Sequence, residues 1–307
     1  MSEERPPFAL KVDVDTHDGM RDGVPRLLDA FARWGVRASF FLCFGPDNAG
    51  KAIWNLFSRR GFLTKMWRTG APRLYGWRTI VSGTLLPARL VALRFPELVR
   101  RIAAEGHEVG VHGWDHRLWQ DHLDELDETR IAEQYARACG AFESILGRAP
   151  RASGAPAWYQ TPVSLRVQDG LELLYASDAR DCAPGYPELE GYASTTLQIP
   201  TTQACLEELL TLGEHDLQVC ARRVLEPRGD APARVIPLHA EVEGGRYAAF
   251  LEHLLGGIRD AGAAVRTLEE IALDLLARRP RPPRFRAARR ELPGRSGTVL
   301  APAPGTK

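Results

Sequence analysis

Apolar residues along the chain follow two spacings, and each spacing predicts a different element. Phe8 to Val14 reads as a strand, and the unbroken apolar run Ala38 to Phe44 suits a strand buried on both faces. Val24 to Trp34 reads as a helix, with Pro25 near its start and Gly35 at its end. In Thr129 to Leu146 the apolar residues Ile131, Tyr135, Ala138, Phe142 and Ile145 recur at intervals of three and four, which predicts a long helix with one buried face. Helices are also expected at Pro96 to Glu105, from about Val163, at Leu206 to Leu212, Leu217 to Leu225 and Gly245 to Ala261, and from Leu268. Short strands are expected at His107 to Val111, Arg151 to Gly154, Leu173 to Ala176, Leu197 to Ile199, Arg234 to Leu238 and Ala264 to Val265.

Strand alternating with helix over most of the chain implies an α/β fold with parallel strands, either a barrel or an open doubly wound sheet. The 307 residues suffice for one such barrel with insertions. From Pro280 the composition turns to Pro, Arg, Gly and Ala with few apolar anchors, so residues 280–307 are expected to form a disordered basic tail after a catalytic domain at 1–279.

An apolar fraction of 44% and a charged fraction of 26% are those of an ordinary soluble enzyme. No apolar stretch lies near the N-terminus, and no uncharged apolar run reaches the length of a membrane span, so a cytoplasmic location is expected. Five cysteines without CxxC spacing indicate free thiols. The net charge of +1 conceals an asymmetry: residues 47–94 hold nine Lys or Arg against one acid, Asp47. Trp54, Phe57, Phe62, Trp67, Tyr75 and Trp77 lie among those cations without any DNA-reading motif. This basic, aromatic insertion is therefore expected to meet an anionic membrane surface, with Trp54, Phe62 and Trp67 at the interface, rather than nucleic acid.

Titratable residues gather where strands end. Asp13 and Asp15 close the first strand, His112 and His116 follow another, Ser177 to Asp181 a third, and His239 to Glu243 a fourth. Two imidazoles four apart can meet one cation, and Gly113 between them lets the backbone turn. Polar groups at several strand ends are what a barrel active site requires.

In order, Asp13-Val-Asp15, the HxxxH of His112 and His116, Ala157-Trp158, Ser177-Asp178-Ala-Arg180 and Leu238-His239 resemble the motifs of the polysaccharide deacetylase (NodB-homology) family. Lys11-Val-Asp-Val-Asp-Thr16, Arg21 to Leu28, Ala38-Ser-Phe-Phe41, Gly45-Pro-Asp-Asn48, Leu74-Tyr-Gly-Trp77, Gly106-His-Glu-Val-Gly110, Trp114-Asp-His116 and His239-Ala-Glu-Val-Glu-Gly244 look like that family's branch of lipid-linked formamidosugar deformylases. The resemblance implies a distorted (β/α) barrel in which Asp15, His112 and His116 hold one divalent ion: zinc, cobalt, nickel or manganese. It further implies removal of a formyl group from 4-deoxy-4-formamido-L-arabinose on undecaprenyl phosphate, at the cytoplasmic face of the inner membrane. That step belongs to lipid A modification and polymyxin resistance. Asp13 is then expected as general base and His239 as general acid, with Glu241 and Glu243 as candidates to orient the His239 ring. Trp158, Asp178 and Arg180 are left for support or substrate contacts.

One position departs from the family pattern. An Arg is expected after Gly-Trp, and here Tyr159 follows Trp158. If that Arg supports the catalytic Asp, then Arg151, Arg166 or Arg180 must replace it, or the support is absent. Other outcomes are a deacetylase of another N-acylated sugar and a non-catalytic membrane-binding homologue. A secreted deacetylase of chitin, xylan or peptidoglycan would need an export signal.

Overall fold

The computed structural model describes residues 6–51, 87–228 and 231–305. Most of the 47–94 insertion, with Trp54, Phe62 and Trp67, lies outside the described residues. Six parallel strands form the main sheet: β1 (Phe8–Val14), β2 (Ser39–Leu42), β3 (Glu108–Val111), β4 (Ala152–Ser153), β5 (Tyr175–Ala176) and β8 (Arg234–His239), in the order β5-β4-β3-β2-β1-β8. The two edges are joined by the irregular segment 197–203. Ile199 donates its amide to Ala176 of β5 and Thr202 donates to Val235 of β8, so the sheet closes into a distorted barrel. Leu197 to Ile199, expected as a strand, makes isolated bridges through Gln198 to Ala176 and Gly185 instead, and Pro200 supplies no amide to extend the ladder.

The alternation along β1 sets up everything that follows. Leu10, Val12 and Val14 face outward, into a core shared with Leu27, Leu28 and Phe31 of α1 (Val24–Trp34). Ala9 faces inward, packed with Phe41, Tyr175 and Val235. Lys11 and Asp13 keep the inward phase and are buried inside the barrel. Around the outside run α2 (Pro96–Ala104), α3 (His116–His122), α4 (Glu128–Leu146), α5 (Pro162–Asp169), α6 (Leu206–Thr211), α7 (Leu217–Leu225) and α8 (Ala248–Asp260). The ninth, α9 (Leu268–Ala277), places Leu268, Ile271, Ala272 and Leu275 in the inner cluster that contains Ala9. Among the described residues, no helix is long and apolar enough to cross a membrane.

The disordered basic tail expected at 280–307 is not what the chain forms. β9 (Arg284–Glu291) and β10 (Thr298–Pro302) make an antiparallel pair, and β9 also pairs in parallel with β6 (Tyr186–Leu189). With β7 (Tyr192–Ala193) they build a second sheet of order β10-β9-β6-β7. The composition misleads because this hairpin needs no core of its own. Ala287 and Leu300 pack onto Leu165, Ala179 and Leu189, while Val299 and Ala301 pack onto Trp158. Arg289 bonds Asp124, Glu190 and the Tyr159 hydroxyl, while Arg284 and Arg290 donate to the backbone carbonyls of Ser194 and Pro302.

Candidate active site

Asp13 and His239 are direct neighbours, being register partners across β1 and β8. Within the barrel, Lys11 Nζ lies 2.6 Å from Asp13 Oδ2, and Oδ1 is buried without a hydrogen-bond partner among the described residues. None of the arginines expected to support Asp13 does so. Arg151 pairs with Glu269, Arg166 with Glu128, and Arg180 with Glu208. The supporting cation is Lys11, two residues earlier on the same strand face. The period of two alone could have identified it.

His239 is anchored twice. Its Nδ1 lies 2.8 Å from Glu207 Oε1 at the start of α6, and its backbone amide donates to Glu243 Oε2 at 2.7 Å. Glu243 therefore fixes the strand end, while Glu207 aims the ring. Burial alone would lower the His239 pKa, but Glu207 outweighs it and holds the imidazole well above its ordinary value. Glu207 is correspondingly lowered: burial would raise it and His239 prevails. Glu241 and Glu243 are pushed up, Glu241 well above the carboxylate range by burial and Asp15, and Glu243 to about 8 by burial and Glu207. Glu207 carries no local sequence signal beyond that of an acid at a helix start.

Asp15 leaves the sheet just beyond β1, and the loop after β3 faces it. Gly113 takes φ 99°, a region costly to a side chain, and the turn ends in Asp115, which caps α3 through Arg117 and Leu118 amides. This places His112 Nε2 at 3.2 Å from Asp15 Oδ1 and His116 Nε2 at 3.3 Å from Oδ2. Burial would raise the Asp15 carboxyl, yet the adjacent His116 and His112 hold it well below its usual range. Burial pushes His116 down to about 4, leaving the neutral imidazole that a metal requires. Asp15, with one oxygen towards each imidazole, makes with His112 and His116 a carboxylate-and-two-imidazole donor set of the kind that holds a divalent cation with open positions. Cys43 Sγ also approaches within 4.8 Å of the Asp15 and His112 donor atoms. Its thiol is driven well up by burial and the surrounding carboxylates and donates to the His112 carbonyl.

The loop after β4 adds Trp158. Ala157 and Trp158 take φ values of 58° and 54°, consecutive left-handed conformations that cost energy and occur where a side chain must be held in place. The indole donates to Thr201 Oγ1 at 2.9 Å and meets the His239 ring edge-on, with centroids 6.3 Å apart. Asp178 is fully enclosed, accepting from the Ala155 amide, Gln160, Gln168 and Gln198, and so braces this loop. Arg180 is buried as well, paired bidentately with Glu208.

Similarity to known proteins bears on the family and the fold. The model of the polysaccharide deacetylase family matches residues 13–173. A curated relative from Shewanella sediminis, named as a 4-deoxy-4-formamido-L-arabinose-phosphoundecaprenol deformylase, is 33% identical over 80% of this chain and 79% of its own. One from Wigglesworthia glossinidia brevipalpis with the same name is 25% identical over 92% of this chain and 97% of its own. In fold, the chain resembles a Mycobacterium smegmatis structure described as a polysaccharide deacetylase (TM-score 0.58, 19% identity, 95% and 98% covered). It also resembles a peptidoglycan N-acetylglucosamine deacetylase (TM-score 0.53, 15% identity, 88% and 89% covered). Motif order, barrel and family match coincide: this chain belongs to the polysaccharide deacetylase family.

Proposed function

We propose that the chain is a divalent-cation-dependent hydrolase that removes the formyl group from 4-deoxy-4-formamido-L-arabinose linked to undecaprenyl phosphate, within lipid A modification by aminoarabinose. What carries this reading is a pair of proton-handling groups facing one space, Asp13 braced by Lys11 and His239 braced by Glu207, beside the donors of Asp15, His112 and His116. The relatives' names supply the substrate.

Asp15, His112 and His116 would hold the cation. When bound, such an ion polarises an amide carbonyl and eases deprotonation of water. Asp13 takes the proton of the attacking water on Oδ1, the oxygen that Lys11 leaves free. The water oxygen bonds to the formyl carbon, and the C–N bond cannot break until the nitrogen gains a proton. His239 supplies that proton from Nε2, because Nδ1 is turned to Glu207. Formate and the primary amine of the sugar are the products.

The insertion leaves the barrel at this same mouth. Asp47 accepts the His17 amide, the His17 ring contacts the Leu90 carbonyl at 2.8 Å, and Asn48 donates to Asp115, beside His116. A basic, aromatic segment rooted there would rest on the anionic leaflet that holds the lipid-linked substrate.

The test is release of formate from the lipid-linked formamidosugar, with the acetamido analogue beside it. Formate should appear with metal, vanish on chelation and vanish in His116→Ala together with metal stoichiometry. Asp13→Asn and His239→Ala should each lower kcat on the order of 10²-fold with metal retained. Equal release of acetate would point to a broader deacetylase. Release of neither acid sinks the reading.

A further inference from the structure

The turn of the C-terminal hairpin lies against the site. At Gly294, which has φ 79°, an added Cβ would come within 2.4 Å of the Glu208 carbonyl, so the turn is pressed onto α6 beside Glu207. The next residue, Arg295, lays its guanidinium 4.5 Å from the centroid of Trp158. Trp158 is the residue that meets His239 edge-on.

Among the described residues three cations face this indole, and they differ in what they are free to do. Lys11 is spent on Asp13, and Arg180 on Glu208 at 2.8 and 3.1 Å. Arg295 has, among the described residues, one long ion pair, 3.8 Å to a Glu208 oxygen already taken by Arg180. Its side chain is 17% exposed, and its guanidinium makes no hydrogen bond to the described protein. Stacked on Trp158, a planar guanidinium loses little freedom and keeps its edge N–H groups for a planar or tetrahedral oxyanion.

On the deformylase reading, the substrate carries an anion in a fixed place. The formamide is on one carbon of the sugar ring and the phosphodiester on the carbon across it. A group that recognises the phosphate must therefore sit near the proton-handling residues without touching the formamide, and Arg295 lies one indole away from His239. We propose that Arg295 binds the phosphodiester through which the sugar is joined to its lipid, and so selects an anionic glycosyl phosphate over a neutral glycoside. Residues 284–302, outside the span matched by the family model, thereby take part in specificity.

The test compares two water-soluble substrates in lipid-free buffer: formamidoarabinose on a short prenyl phosphate, and its neutral methyl glycoside. Wild type should prefer the phosphodiester. Arg295→Ala should lose about 10- to 100-fold in kcat/KM on it, chiefly through KM, as loss of a charge-assisted bond implies. Its rate on the glycoside should be unchanged, and Arg295→Lys should recover part of the loss. Equal losses of Arg295→Ala on both substrates, or no preference in the wild type, would overturn the proposal. A preference that appears only with anionic vesicles would assign Arg295 to a membrane headgroup and overturn it too. If the wild type hydrolyses neither substrate, the deformylase reading itself falls and this assignment with it.

Discussion

Lys11 is where packing and chemistry meet in a single side chain. A lysine with no exposed surface survives in a barrel interior because Asp13 neutralises it at 2.6 Å and Phe41 and Trp158 present ring faces within 5.2 and 4.7 Å. Removing one partner leaves the other as a bare buried charge, which costs roughly 3–5 kcal/mol. Lys11→Met should thus lower both melting temperature and kcat, while Lys11→Met with Asp13→Asn should regain stability without activity. Were the double variant as unstable as the single one, the pairing would not be the source of the loss. His239 and Glu207 make a prediction in pH. His239 is raised above 6.5, so its contribution to stability is complete below 6.5 and lost as pH climbs through the folded value. Glu207 is lowered below 4.5, so its contribution is complete above 4.5 and lost as pH falls through the folded value. In metal-free protein, Glu207→Gln should therefore lower the melting temperature most between pH 4.5 and 6.5, and by less at the alkaline end. A uniform decrement from pH 4 to 9 would show that Glu207 acts through packing alone.

At the scale of elements, the C-terminal hairpin is the addition that changes the molecule. Its strands cover Leu165, Ala179 and Leu189 and pack against Trp158, so they bury surface that the barrel would otherwise leave open to water. Leu300, fully buried at the centre of that contact, is a clean probe. Leu300→Ala should cost about 2–5 kcal/mol in denaturant unfolding, as for other large-to-small core changes. Stability within error of wild type would mean that the hairpin is a loosely held appendage. The loops tell a similar story on a smaller scale. Asn48 reaches Asp115, and Asp115 caps the helix that opens with His116, so the base of the insertion and the HxxxH turn are mechanically one unit.

For the whole molecule, the layout separates three surfaces. Helices wrap the outside, α9 contributes to the inner core below the site, and the C-terminal ends of the strands carry the site and the roots of the insertion. On the proposed function, the substrate's lipid cannot leave its bilayer, which places this open end at the membrane. Replacing Trp54, Phe62 and Trp67 together with Ser should release the protein from anionic vesicles in flotation. Hydrolysis of a soluble short-chain substrate should stay intact. Unchanged flotation with lowered stability would mean that these aromatics pack on the barrel instead.

Local spacing determined much of this protein. The strand Phe8–Val14 and the helix Val24–Trp34 occur where the sequence places them, because an apolar run and a Pro or Gly at a helix terminus are properties of neighbouring residues. The HxxxH turn was legible for the same reason: its residues are four apart and Gly113 marks the turn. Lys11 was legible in principle, being two residues from Asp13 on one strand face. Glu207 and Arg295 were not. They reach His239 and Trp158 only because the segment 197–203 closes the barrel and a late hairpin folds back against α6. Those contacts join residues far apart in the chain, and a one-dimensional pattern holds no trace of them. The hairpin itself was hidden by averaging: its composition resembles a solvated tail, and only the apolar surface already built by the barrel gives its few buried side chains something to pack against.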